Sequence, residues 1–170
     1  KQIGKDDLVL ECACGSGIIS EKIAPLCKKL IATDYAEKMV QVTKRKCDRF
    51  SNVKVQTADI TALPFEDESF DVAIAANVIH LLDEPEKAIN ELNRVTRKGG
   101  KLIIPTYVNK EKKGENGILI ESFDKAGADF KQQFTFTSYQ NYFKEKGCLI
   151  VDSYLAQGLI PCAIVTLERK

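Results

Sequence analysis

Residues 8–17 read Leu-Val-Leu-Glu-Cys-Ala-Cys-Gly-Ser-Gly. An apolar run ends in a carboxylate, and a turn of small residues follows at once. That order is a strand feeding a tight, glycine-containing loop into a helix. It commits the chain to an α/β sheet that presents a small charged ligand at a strand end. The segment alone does not choose the ligand, because nucleotides, dinucleotides and sulfonium cofactors are all held this way.

The alternation continues along the chain. Helical periodicity runs over 18–29, with Ile19, Ile23, Leu26 and Cys27 on one face, and Pro25 must kink or shorten it. A short strand over 30–33 ends in Asp34. A helix over 36–50 offers Met39, Val40, Cys47 and Phe50 as its buried face, and 53–56 is a third strand. Pro64 and the acidic run 66–68 make 62–69 a loop. Residues 70–76 are nearly continuous apolar sequence, a strand buried on both faces. Asp83 caps the next helix, with Pro85 in its first turn and Ala88, Ile89, Leu92 and Val95 on one stripe; Gly99-Gly100 stops it. Residues 101–107 form a fifth strand.

Residues 109–117 read as a mobile loop and 118–128 as a helix. A helix over 138–146 turns Tyr139, Tyr142 and Phe143 inward. Strands over 148–156 and 160–168, joined by a short turn around Gly158, must be antiparallel. The expected fold is α/β: a doubly wound, mostly parallel seven-stranded sheet with a C-terminal antiparallel hairpin. It is expected as one domain over residues 1–170, lacking an N-terminal cap segment.

Net charge is +1, from 25 basic and 24 acidic residues, so no global basic field favours a nucleic-acid partner. Six cysteines sit mostly in apolar runs, and the single histidine, His80, gives no zinc spacing, so no metal site is expected. Reduced buried thiols and the lack of any stretch of transmembrane length point to the cytoplasm.

Four strand ends carry groups suited to a nucleoside ligand. Glu11 closes strand one and can hold an ammonium. Gly15 and Gly17 let the backbone come close, and Ala13 is nearly as small. Asp34, 19 residues beyond Gly15, can accept from both ribose hydroxyls. Asp59 follows strand three and can accept from an exocyclic amine, with Ile60 as an apolar wall. Asn77 closes strand four. Each acid alone reads equally well as a helix cap or a solvated turn residue, Met39 as core, and His80 as a half-buried structural histidine.

Together these stretches resemble the class I S-adenosylmethionine-dependent methyltransferases, nearest the small-molecule branch that includes the ubiquinone/menaquinone-biosynthesis enzymes. The segments that carry the likeness are Val-Leu-Glu-Cys-Ala-Cys-Gly-Ser-Gly (9–17), Ala-Thr-Asp-Tyr-Ala-Glu-Lys-Met-Val (32–40), Ala-Asp-Ile-Thr-Ala-Leu-Pro-Phe-Glu-Asp-Glu-Ser-Phe-Asp-Val (58–72) and Leu-Asn-Arg-Val-Thr-Arg-Lys-Gly-Gly-Lys-Leu (92–102). The resemblance implies a Rossmann-like methyltransferase fold and S-adenosyl-L-methionine as cofactor, with S-adenosyl-L-homocysteine as product. Glu11 and the loop 13–17 would face the methionine end, and Asp34 the ribose with Tyr35 and Met39 beside it. Asp59 and Ile60 would hold adenine, and the backbone at Ala76 and Asn77 the amino group. Two positions depart from the family pattern: Glu11 stands where Asp is usual, and Ala13 where the first glycine is usual.

Methyl transfer from a sulfonium to a small-molecule acceptor is an in-line displacement, so the protein aligns the nucleophile and excludes water. A base is needed only for a protonated acceptor, and His80 is the candidate. The alternatives are a non-catalytic S-adenosylmethionine-binding protein and an NAD-dependent oxidoreductase. Against the second, Ser20 occupies the third glycine position of its loop pattern.

Overall fold

The computed structural model describes residues 2–109, 131–158 and 160–170. The expected helix over 118–128, and the expected loop from 110 onward, lie outside the described residues. Strand β1 (Leu8–Cys12) pairs in parallel with β2 (Lys29–Asp34) on one side and with β4 (Phe70–Ala75) on the other. Outward from these lie β3 (Val53–Thr57), parallel to β2, and β5 (Thr96–Tyr107), parallel to β4. Strand β7 (Cys162–Glu168) inserts antiparallel between β5 and the edge strand β6 (Leu149–Ala156), giving the order β3-β2-β1-β4-β5-β7-β6. The chain leaves β1 toward β2 and later returns to its other side as β4. That reversal opens a crevice beyond the carboxyl ends of the parallel strands.

Helices cover both faces because successive strand side chains point to opposite sides. Val9 and Leu30 pack with Ile23 and Val40 of α1 (Ile18–Ile23) and α2 (Glu37–Cys47). Leu10, Leu102 and Val165 pack with Leu92 of α3 (Pro85–Val95) and with Tyr139 and Phe143 of α4 (Phe136–Glu145). Each such fully buried side chain contributes about 1.5–3 kcal/mol.

Several element ends differ from the sequence expectation, each for a local reason. Helix α1 stops at Ile23 and passes into a 3-10 turn, Ala24–Leu26, because Pro25 has no N–H to continue the ladder. Its buried face is Ser20, Ile23, Ala24 and Cys27; Ile19 and Leu26 remain 36% and 39% exposed. The α3 N-cap is Glu84, not Asp83, and no side chain caps it. Helix α3 ends at Val95 rather than at the glycines, because Thr96 turns extended and its Oγ1 donates back to Leu92 O at 2.7 Å. Gly100 serves the pairing with β4 instead: a Cβ there would stand 2.7 Å from the Asp71 carbonyl oxygen. Helix α4 starts two residues early, at Phe136, because Thr135 and Ser138 form a reciprocal capping box.

The two most specific sequence segments tie this scaffold together. Arg94 donates to the carbonyls of Leu63 and Phe65 and to Asp67 and Glu91, pinning the Leu-Pro-Phe loop to α3. Asp71 accepts from the Leu8 N–H at 2.7 Å and from Arg97, fixing the start of β1 against the β4–β5 bulge. Replacing Arg94 by Ala strands two carbonyls and Glu91, so we expect a loss of roughly 1–3 kcal/mol. That is a fall of about 3–8 °C in melting temperature for a chain this size. Thermal denaturation checks it, with Arg94→Lys recovering little because an ammonium lacks the planar fork; an unchanged melting temperature in Arg94→Ala contradicts the pinning role.

Candidate active site

The loop between β1 and α1 is built from alternating left-handed residues: Ala13, Gly15 and Gly17 have φ of 55°, 53° and 73°. Gly17 is required by space as well as by φ, since a Cβ would lie 2.9 Å from Thr43 Oγ1. At Gly15 nothing comes within 4 Å of that position, so the loop is open there to a ligand. Ala13 has no such excuse. Its methyl group is carried in a conformation that costs a non-glycine residue about 1–2 kcal/mol.

Asp34, at the end of β2, binds the loop through one carboxylate. Oδ2 accepts the Gly15 N–H at 2.8 Å and Oδ1 the Ala36 N–H at 2.9 Å. Thr43, in the second turn of α2, donates from Oγ1 to Gly15 O at 2.8 Å and accepts from Cys14 Sγ at 3.6 Å. Asp59 follows β3 and closes its own turn, its Oδ1 accepting from the Thr61 N–H and hydroxyl at 2.8 and 2.7 Å. Ile60 beside it is buried.

Ala13, Asp34, Tyr35, Asp59 and Ile60 line a single cavity of about 450 Å³, with Val78, Leu82 and Asp83 on the side of β4 and α3. The other expected site residues do not line it. Glu11 is 1% exposed, and its Oε2 accepts the Ser20 hydroxyl at 2.5 Å. Burial raises this carboxyl to about 7; the Ser20 hydrogen bond opposes the rise and the Asp34 charge adds to it. Gly15 and Gly17 shape the loop, and Met39 is half-buried in the first turn of α2. Asn77 follows β4 with φ of 54°, donates its N–H to Pro105 O at 2.8 Å, and has a buried Oδ1 without a hydrogen-bond partner among the described residues.

His80 lies in the 3-10 turn Ile79–Leu81 and is 3% exposed. Burial pushes its imidazole down to about 4, so it is neutral at physiological pH. All six cysteines are free thiols, and burial lifts Cys12 and Cys14 to about 12, too high for nucleophiles. Among the described residues no cluster of metal-ligating side chains occurs, and no helix is long and apolar enough to cross a membrane.

The sequence reading missed Ser20, Thr43 and Thr61. Ser20 and Thr43 had a signal: each falls on the helical period of its neighbours, 20–23–24–27 and 40–43–47, which turns the hydroxyl toward the sheet.

The cavity offers carboxylates at the ends of β2 and β3 and an apolar wall at Ile60. The family described as "Methyltransferase domain" matches residues 10–104. The demethylmenaquinone methyltransferase of Renibacterium salmoninarum is 37% identical over 99 residues, covering 58% of this chain and 40% of that protein. The ubiquinone/menaquinone biosynthesis C-methyltransferase of Bdellovibrio bacteriovorus is 35% identical over 105 residues, covering 58% and 43%. The chain thus spans less than half the length of these curated relatives. Among solved structures, a SAM-dependent methyltransferase from Aquifex aeolicus superposes with a TM-score of 0.77 at 21% identity, over 99% of this chain and 85% of that one.

Two outcomes follow for stability. Ala13→Gly relieves the left-handed alanine and raises unfolding free energy by about 1 kcal/mol, measured by denaturant titration; a loss of stability contradicts the strain. For His80, the unfolded chain takes up a proton near 6.5 and the folded chain only near 4. Folding is therefore favoured above 6.5 and weakens as pH falls through that window, by up to about 3 kcal/mol. Glu11 acts in the opposite sense over an overlapping range, so the comparison must be made with His80→Gln, which should lose less stability than the parent between pH 6.5 and 4. Parallel curves contradict the assignment.

Proposed function

The chain belongs to the methyltransferase-domain family, in the class I S-adenosylmethionine-dependent branch that includes the ubiquinone/menaquinone-biosynthesis enzymes, and from that premise we propose that it transfers a methyl group from S-adenosyl-L-methionine to a small-molecule acceptor in the cytoplasm. The observation that carries the reading is the single cavity bordered at once by Ala13, Asp34, Asp59 and Ile60. The residues fit the cofactor on structural grounds: the loop is open at Gly15, a buried carboxyl lacks a cation among the described residues, and the cavity carries acceptors at its β2 and β3 ends. When bound, the cofactor supplies a methyl group already activated on a sulfonium.

In this reading the chain's residues bind and orient. Asp34 accepts from the ribose hydroxyls while still holding the Gly15 and Ala36 amides through the remaining lone pairs. Tyr35 and Met39 stand beside the nucleoside. Asp59 takes the adenine amine, with Ile60 as its wall. Glu11, Ala13, Gly15, Gly17 and the backbone at Ala76 and Asn77 receive the amino-acid end. The near-zero net charge favours a small molecule over a nucleic acid as acceptor. His80, uncharged above about pH 4, has one ring nitrogen without a proton and is the candidate base for an acceptor that must lose one, although its lowered pKa makes it a weak one.

S-adenosylhomocysteine at 100 times its Kd should stabilise the fold by about 2.7 kcal/mol, roughly 5–10 °C in melting temperature for a chain of this size. Asp34→Ala should abolish the shift. A shift with NAD and none with either S-adenosyl ligand overturns the reading in favour of an oxidoreductase. Transfer of a labelled methyl group to a cell-extract fraction separates an enzyme from a binding protein, and unchanged turnover in both His80→Ala and His80→Gln removes His80 as base.

A further inference from the structure

The net charge of +1 conceals a polarity along the strands. The crevice end carries Asp34, Asp59, Asp83 and Glu84. The opposite end, below β1, β2 and β3, is basic. Three stretches of chain are tied together there. Asn52 donates from Nδ2 to the carbonyls of Ala24 and Cys27, the Lys28 and Lys29 amides donate to Asp7 O, and the Lys5 ammonium donates to Pro25 O at 2.8 Å. Because β2 and β3 are parallel, α2 between them runs the other way, and its last turn brings Lys44 and Arg45 to the same end. Lys28 and Lys29 stand at the start of β2 and Lys54 at the start of β3; all six of these cationic residues are exposed. Among the described residues none of the six forms an ion pair, whereas Lys87, Arg94, Arg97, Lys131, Lys146 and Arg169 all do. The acids at this end are Asp6 and Asp48, both exposed, Asp7, which accepts the Gly4 N–H, and Glu21, which Arg49 takes up at 2.6 Å. Between Lys5 and Lys28 the 3-10 turn Ala24–Leu26 carries Leu26 outward, 39% exposed.

We propose that this end of the molecule docks on an anionic bilayer surface, with the lysines against lipid headgroups, Leu26 at the headgroup–acyl boundary and the crevice facing the water. The acids at the crevice end favour the same orientation, because an anionic plane repels them. A bilayer suits this face better than a nucleic acid does. Five of the six cations are lysines, point charges matched to a diffuse anionic plane, whereas phosphate recognition favours the arginine fork. Leu26 is aliphatic, and Phe50 beside this face lies half-buried under the Arg49 guanidinium, 4.8 Å from its ring, so it offers no open platform for a base. A nucleic acid held here could not present a base to the crevice, which lies at the other end of the strands. The docking does not depend on which ligand the crevice takes.

Co-sedimentation of the whole chain with vesicles tests it, phosphatidylcholine alone against phosphatidylcholine with about one-third phosphatidylserine, with thermal melts to verify that each variant is folded. The chain should pellet with the anionic vesicles at low salt, and high salt should release it. Each lysine near the surface is worth about fivefold in partitioning, so Lys28→Gln/Lys54→Gln should bind roughly thirtyfold more weakly. The charge-matched Lys87→Gln/Lys144→Gln, on α3 and α4, should stay within about twofold of the parent. Leu26→Ser should weaken binding by several fold through lost apolar contact. Equal binding to neutral vesicles, or an equal loss in the two double variants, overturns docking by this face. Unchanged binding in Leu26→Ser overturns the apolar contact. No pelleting with anionic vesicles at low salt overturns the proposal outright, and so does tighter binding to a short DNA duplex than to those vesicles, which would reassign the face to nucleic acid.

Discussion

One carboxylate decides whether the crevice has a shape. Asp34 reaches from the end of β2 to the Gly15 amide in the preceding loop and to the Ala36 amide at the entry to α2. Charge-assisted bonds of this kind are roughly twice as strong as neutral ones. Thr43 holds the same loop from the other side through Gly15 O. The left-handed sequence Ala13–Gly15–Gly17 stays in place because these two groups determine it, and the position of α1, and so of Ser20 against Glu11, follows from where that loop ends.

The electrostatics of this corner are lopsided. Glu11 and Asp34 approach from adjacent strands without a basic side chain between them among the described residues, and burial rather than pairing governs Glu11. A scaffold built only for stability would neutralise such a pair or replace it by apolar residues. Under the proposed function, the ligand's ammonium supplies the charge that this corner lacks. By contrast, Arg94 and Asp71, which lie in the most recognisable sequence segments, spend their hydrogen bonds on the scaffold. Neither side chain lines the crevice, whereas Asp59 and Ile60 of the same 58–72 segment do.

What could be read from the sequence follows the same division. Asp34, Asp59 and Ile60 were legible because a polar residue at the end of an apolar strand has one place to go in a parallel sheet. The mostly parallel seven-stranded sheet with its closing antiparallel hairpin was legible from strand alternation and the short last turn. Ser20 was passed over because its value depends on how α1 seats against β1, and Pro25, by ending that helix early, changes which residues face inward. The glycines at 99 and 100 suggested a helix stop, yet a Thr96 back-bond ends the helix first and the glycines serve strand pairing. His80 read as a base from its place in the chain; the structure adds that it is buried and neutral.

The central claim is that the ligand sits across the carboxyl ends of β1, β2 and β3. Backbone amide resonances, followed by 15N NMR as S-adenosylhomocysteine is added, test it most directly. The account predicts the largest shifts at Gly15, Ala36, Ile60 and Asn77, with the groove between α3 and β6, near Asn90 and Cys148, unmoved. Shifts concentrated in that groove, with the Gly15 and Ala36 amides unchanged, would contradict it.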